Sequence, residues 1–440
     1  MNNSLAVALV RAALLAALCL LVACGDRRRG EDKTAAAPAG GVPTSLALRV
    51  ALAPHPGEGA GDDSLRVAQN AVRERADLPR LERLATLFIG KARTSGDPGF
   101  YKQAEACADA MPFAADGSGH AANLVRGHVR HALHDFVAAE RIARELVAAR
   151  GLFLDHGLLG DVLLDRGQLE EARSVYQRML DLKPCLQRYA RAAQVRWMVG
   201  DLAGCRELLG LAASAGSKRD PESMAWVLAR RAVLELQAND VIAAKQCADQ
   251  ALGLVPGYPA ALVARGRAAM AAGKHGDAAI DLAAAAAAYP LPEYLWAHAD
   301  ALTAAGRAEL AEGVRVELQR TGEREDPRTF VVWLATVGRE PAMALRLAEA
   351  ELALRHDAHT LDALAIARWR CGDVLGAAQA IERALADGVH DARLFLHAAL
   401  IAHAAGDVAA AMRHADAARA QAAALLPSEL TALADLPRRS

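Results

Sequence analysis

Aromatic residues make up only 4% of this 440-residue chain, so its core cannot rest mainly on stacked rings. Neither sign of charge prevails: 51 basic residues meet 52 acidic ones, for a formal net charge of -1. A chain so balanced has no electrostatic footprint for a nucleic-acid backbone, and no nucleic-acid partner is expected. Catalytic signatures are missing as well. There is no nucleophile elbow, no Gly-x-x-x-x-Gly-Lys loop to cradle phosphate and no dinucleotide fingerprint after a strand, so neither enzymatic activity nor a cofactor is expected. Beyond Cys19 and Cys24, the five cysteines Cys107, Cys185, Cys205, Cys247 and Cys371 are odd in number and far apart. They do not form a disulfide framework pattern, even for an exported chain.

What is present in abundance is small apolar residues and a recurring phrase. Apolar residues account for 53% of the chain, chiefly alanine, which suits helices packed closely through small side chains. Turn residues stand at His134, Gly167, Gly200, Asn239, Gly273, Gly306, Gly338, Gly372 and Gly406, spaced by 33, 33, 39, 34, 33, 32, 34 and 34. A period in this range marks a stacked helical array. Seven residues before the turn stand Gly127, Gly160, Ala193, Ala232, Gly266, Ala299, Ala365 and Ala399. Five residues after it stand Ala139, Ala172, Cys205, Ala244, Ala278, Ala311, Ala377 and Ala411. Two helices can approach closely only if both facing positions are small. Val331 and Met343 break the rule around Gly338, and the 39-residue step before Asn239 implies a longer loop near Ser214 to Glu222.

The segment from His156 to Pro184 resembles a tetratricopeptide repeat, the matches being Leu159, Gly160, Gly167, Ala172, Tyr176, Met179 and Pro184. The resemblance extends over roughly residues 65 to 425. It implies an all-α, right-handed superhelical solenoid of about ten helix-turn-helix units, counting a degenerate one that turns near Gly96.

The amino-terminal segment is of another kind. Arg11 precedes an apolar run from Ala12 to Val22, the length of a signal-peptide core and short for a membrane span. Leu21-Val22-Ala23-Cys24 resembles a bacterial lipobox, which implies lipidation of Cys24 and a periplasm-facing membrane anchor in the cell envelope, the outer membrane favoured. The expected organisation is a signal peptide over 1–23, lipidated Cys24 with a Gly/Pro-rich tether over 24–63, the repeat array over 64–426, and a cap or tail over 427–440. Within the tether, Ser45 to Val50 reads either as a short strand or as extended chain. Pro427-Ser428-Glu429-Leu430 is expected to start a short capping helix.

By the same resemblance, positions 13, 10, 6 and 3 before each turn line a concave groove. Its candidate partner-binding residues are His128, His131, Asp161, Gln194, Trp197, Trp226, Arg267, Trp296, Asp300 and Trp369. Tryptophan is the usual anchor of a recognition surface, so the groove is expected to hold a protein or peptide partner. The alternative is that the rings pack between repeats. The function expected is a membrane-anchored scaffold or adaptor. Two alternatives follow from the same residues: a glycan-binding factor for polysaccharide or envelope export, since indoles stack on sugars, and metal binding through His128 and His131, one helical turn apart with Asp135 near. Neither histidine group matches an established zinc pattern, and no metal site is assigned.

Overall fold

The computed structural model describes residues 45–55, 60–95, 97–112, 117–182, 185–217 and 220–437. The leader and Cys24 lie outside the described residues. Every regular element among those described is helical. The chain forms two compact units, one ending at Val162 and one beginning at Leu163.

The first unit contains α1 (Leu46–Ala51), α2 (Ala60–Glu74), α3 (Leu78–Ser95), α4 (Gly99–Ala110), α5 (His120–Ala132), α6 (Phe136–Ala149) and most of α7 (Phe153–Asp165). Part of the segment read from sequence as a spacer is therefore ordered. Ser45 starts α1 by accepting the Leu48 N–H at 3.1 Å. The helix docks on α4 through buried Ala51 and Leu52. From α2, Gln69 Nε2 donates to the carbonyls of Ala51 and Ala53 at 3.1 and 3.0 Å. Beneath lie Leu81, Leu84, Phe88, Phe100 and Tyr101, all buried.

The second unit continues with α8 (Leu169–Leu182), α9 (Leu186–Met198), α10 (Leu202–Ser214), α11 (Pro221–Gln237), α12 (Val241–Leu254), α13 (Pro259–Ala271), α14 (His275–Ala288) and α15 (Pro292–Ala304). It goes on through α16 (Ala308–Glu325), α17 (Pro327–Val337), α18 (Pro341–Leu354), α19 (Ala358–Arg370), α20 (Val374–Leu385), α21 (Ala392–Ala404) and α22 (Val408–Ala420). A 3₁₀ turn, Ala422–Ala424, and α23 (Pro427–Ala434) complete it. Successive helices pack as pairs, and the first helix of each pair from α11 onward also touches the first helix of the next, forming an inner layer.

All nine turn residues picked from the sequence have left-handed backbone, with φ between 59° and 86°. The turn at Gly200 shows why. Its N–H bonds to the Trp197 carbonyl at 2.9 Å and the next N–H reaches back to Arg196 at 2.8 Å, closing the helix in a Schellman-like cap that requires positive φ. Asp201 then accepts the Gly204 N–H at 2.8 Å and starts the following helix. Asp135, Asp240, Asp373 and Asp407 do the same after their own turns. The repeated Gly-Asp phrase is thus a C-cap fused to an N-cap.

The small residues also do what their spacing requires. A Cβ added to Gly127 would lie 2.5 Å from Leu158 Cδ2, and one on Gly266 would lie 2.8 Å from Leu282 Cγ. The 39-residue step is absorbed partly in the loop after α10 and partly in α11, which runs to 17 residues where its counterparts have 13. Around Gly338, α17 is short, 11 residues, and its Phe330 ring packs on Gly322 of α16.

The second unit closes on itself. The Gly167 backbone abuts the His356 carbonyl and Gly200 abuts that of Gly388, leaving no room for a Cβ at either turn. Trp197 Nε1 donates to the His390 carbonyl at 3.1 Å. Gln237 donates to Asp391 at 2.9 Å and accepts the Ala392 N–H at 3.0 Å.

Candidate functional site

The inner face of the second unit is occupied by the chain's own C-terminal segment. After α22 the 3₁₀ turn packs against α11, α13 and α21, and α23 packs against α15, α17 and α21. Ala423, Ala424, Leu425, Leu433 and Leu436 share one buried cluster with Leu236, Ala268 and Leu396 of the inner helices. The expected capping helix over Pro427 onward therefore exists, but it lies along the inner helices rather than only covering the last repeat.

Polar side chains of the inner face hold this segment. Asn239 Oδ1 accepts the Ala423 N–H at 3.1 Å, and Arg267 donates to the Ala424 carbonyl. Asp300 Oδ2 accepts the Ser428 N–H at 2.9 Å and its hydroxyl at 2.6 Å, while that hydroxyl accepts from Trp296 Nε1 at 3.2 Å. Glu429, fully buried, pairs with Arg393 and also accepts the Leu426 N–H at 2.8 Å. Burial pushes the Asp300 carboxyl up to about 6, against the Ser428 hydrogen bonds, which act to lower it. Burial acts to lower the Arg393 guanidinium, but the field of Glu429 and its hydrogen bond raise it above the ordinary arginine value.

Beside Ala424 the inner face leaves a cavity of about 210 Å³, whose walls include Gln194, Trp197, Trp226, Arg230, Arg267 and Arg393. Gln194 Oε1 accepts from Arg230 Nη2 at 2.6 Å, and the Arg230 guanidinium lies 5.1 Å from the Trp197 ring centre. Arg267 pairs with Glu293 at 3.2 Å. Arg328 and Asp362 also line the cavity: Arg328 pairs with Asp357 at 3.0 Å, and the Asp362 carboxylate meets His397 Nδ1 at 2.8 Å. Burial acts to raise Asp357, yet the guanidiniums of Arg328 and Arg355 bring it down to about 2.

The residues assigned from sequence thus separate into groups. Gln194, Trp197, Trp226 and Arg267 line the cavity. Trp296 and Asp300 bind the C-terminal segment. Trp369, partly exposed, carries the Arg370 guanidinium 4.2 Å above its ring. His128, His131 and Asp161 belong to the first unit, where all three are buried. From the sequence the tryptophans read either as anchors of a groove or as rings packed between repeats; Trp197, Trp226 and Trp296 are 9, 4 and 0% exposed. Asp135 caps α6, and among the described residues no group of three His, Cys, Asp or Glu is placed to hold a metal ion. No helix among them is long and apolar enough to cross a membrane.

Arg230, Asn239, Arg393, Ser428 and Glu429 were missed as site residues. Arg393 stands 13 residues before Gly406, so the stripe rule itself could have found it. Arg230 lies off the stripe, nine residues before Asn239, so counting back from the turn could not find it.

No family model matches the chain, and no curated protein sequence matches it. Among solved structures, 74% of this chain aligns with 77% of human IFIT1, in its dimer with PPP-AAAA, at 16% identity and a TM-score of 0.46. A chain of the APC/C hetero-tetramer Cut9–Hcn1 aligns over 92% of its length with 84% of this one, at 14% identity and a TM-score of 0.37. A tetratricopeptide repeat protein from Parabacteroides merdae aligns over 98% of its length with 64% of this chain, at 14% identity and a TM-score of 0.37. Paired helices, a left-handed residue at each of the nine turns and small residues at most of the facing positions give this chain an all-α solenoid fold of the tetratricopeptide type.

Proposed function

We propose that the chain is a non-enzymatic adaptor, anchored to the bacterial envelope through a lipid on Cys24 and facing the periplasm, which holds a protein segment on the inner face of its second unit. The observation that carries the binding reading is the C-terminal segment in that place. It is recognised through its side chains, Ser428 by Asp300 and Trp296, and Glu429 by Arg393. A surface able to select a short amphipathic helix with that Ser-Glu pair has the chemistry for a partner helix of the same kind, which would exchange with the resident one. The anchor rests on the sequence alone, on the apolar run and Leu21-Val22-Ala23-Cys24. The glycan alternative has less support, because three of the rings it needs are covered.

The test uses the full chain as wild type and as Ser428→Ala/Glu429→Gln, both checked for helicity by circular dichroism, with a labelled peptide copying residues 422–437. The weakened variant takes up the peptide and the wild type, with its own segment in place, takes up far less. Equal uptake by both, or none by either, overturns the exchange. For the anchor, Cys24→Ser moves the protein from the membrane to the soluble fraction with its fold intact. Unaltered processing and unaltered detergent partitioning would rule the lipid out.

A further inference from the structure

The cavity beside Ala424 contains a cation that no carboxylate among the described residues pairs with. Three of the four arginines in its wall have an acidic partner: Arg267 has Glu293, Arg328 has Asp357 and Arg393 has Glu429. Arg230 has none within ion-pair distance among the described residues. Its guanidinium is held by a neutral amide oxygen on Gln194 and by the face of Trp197. Both contacts leave the positive charge in place, and arginine does not shed its proton in a protein. Burial disfavours that charge, and the field of Glu293, already engaged by Arg267, offsets only part of the effect. A donor is also left over. Trp226 lines the same cavity, is 4% exposed, and its indole N–H has no acceptor. A buried donor without an acceptor is uncommon and costly, and one such donor in the wall that also holds a guanidinium without a carboxylate describes the complement of a missing acceptor.

The remaining walls limit what that acceptor is attached to. Ala229, Val233, Val263 and Val332 are apolar, and the cavity of about 210 Å³ has room for a small molecule but not for a helix. Asp362 and Asp391 line the cavity too, engaged by His397 and by Gln237 with the backbone N–H groups that open α21, so what the site offers an anion is the local charge of the one guanidinium without a carboxylate, which suits a monoanion better than a dianion.

We propose that this cavity binds a small organic monoanion, a carboxylate on a compact apolar body, with Arg230 and the Trp226 indole N–H on the carboxylate and Gln194 orienting the guanidinium. The site does not depend on release of the C-terminal segment, since the cavity exists with that segment in place.

Three probes of one shape test it on the full-length protein: benzoate, neutral benzamide and doubly charged phenyl phosphate, followed by tryptophan fluorescence and calorimetry. Benzoate binds saturably, and benzamide binds about tenfold more weakly or worse, since a charge-assisted bond to a guanidinium is lost. Phenyl phosphate binds less well than benzoate. Arg230→Met reduces benzoate affinity by about tenfold or more, Arg230→Lys by less, and Trp226→Phe by a few-fold. The unliganded Arg230→Met protein melts no lower than wild type, because the change removes a buried charge that has no counter-ion. That last readout separates a ligand site from a structural arginine. Equal affinity for benzoate and benzamide, benzoate binding indifferent to Arg230→Met, a markedly lower melting point of that variant, or no saturable binding of any probe would each overturn the proposal. If Arg230→Met does not fold, the comparison of the three probes on the wild-type protein still decides.

Discussion

Two short helices end the described chain, and they are attached in different ways. α1, at the amino-terminal end, contributes apolar residues and bare backbone carbonyls: Gln69 and Arg73 donate to Ala51, Leu52 and Ala53, and none of these bonds depends on a side chain of α1. α23 and the 3₁₀ turn before it are held partly through the backbone but also through the Ser428 hydroxyl and the Glu429 carboxylate, the latter buried against Arg393. An attachment through carbonyls accepts any amphipathic helix of the right shape. One through a buried ion pair rejects every sequence that lacks the acid, because an arginine stranded without its partner is more costly than a lost neutral hydrogen bond. The first arrangement covers an end of a helix stack, and the second selects a sequence.

The largest effect that could break this contrast is at Glu429. Glu429→Ala leaves the partly buried Arg393 without the acid it pairs with, and urea unfolding should report a loss of about 3 kcal/mol. Gln69→Ala removes neutral donors from two carbonyls at the edge of α1 and should cost about 1 kcal/mol. Similar losses at the two sites would mean that α23, too, is no more than a cover.

The pH dependence sharpens the contrast next. Burial raises the Asp300 carboxyl to about 6, so the folded state holds that proton more tightly than the unfolded chain does. The resulting stabilisation is fully present below the ordinary aspartate value and is lost as pH rises through 6, on the order of 3 kcal/mol between pH 4 and pH 7. Asp300→Asn should flatten that part of the stability profile. Asp326 is raised to about 6 as well, mainly by burial, and caps α17 through Thr329, whereas Ser428 bonds to Asp300. Asp326→Asn should therefore flatten the global profile without changing how the protection of the Ser428 amide from hydrogen exchange depends on pH, whereas Asp300→Asn should change both. A Ser428 amide whose pH response is the same in both variants would detach Asp300 from recognition.

Much of this architecture was legible because it is local. The turn residues and the small residues facing them obey caps and contacts within one helix pair, so their period in the sequence is their period in space. The closure of the second unit and the occupied inner face are not local. Trp197 meets His390 across 193 positions and Trp296 meets Ser428 across 132, separations at which no repeat pattern carries information. The tryptophans stood on the stripe that the resemblance assigns to the inner face, but whether a residue there meets solvent or another part of the chain depends on where the superhelix returns. α1 was illegible for a different reason. Its apolar spacing reads as a short strand or extended chain, and the segment is instead a helix, fixed by the Ser45 cap and by docking on α4.

Asn239 joins the local and the long-range parts of the fold in a single side chain, and its substitution gives the smallest effect. Its backbone is left-handed, with φ 59°, where glycine would relieve about 1 kcal/mol of strain. Its side chain accepts the Ala423 N–H, a bond whose net worth is also about 1 kcal/mol. The two nearly cancel, so Asn239→Gly should leave the urea midpoint within a few tenths of a kcal/mol of wild type. The cancellation is only global. The gain belongs to the turn between α11 and α12, while the loss belongs entirely to the 3₁₀ turn that leads the C-terminal segment onto the inner face. Amide exchange at Ala423 should therefore speed up although the protein as a whole is no less stable. An Ala423 amide as protected in Asn239→Gly as in wild type would mean that the apolar contacts of Leu425, Leu433 and Leu436 hold the segment without help from the inner-face polar groups, and the two ends of the chain would then be attached in the same way after all.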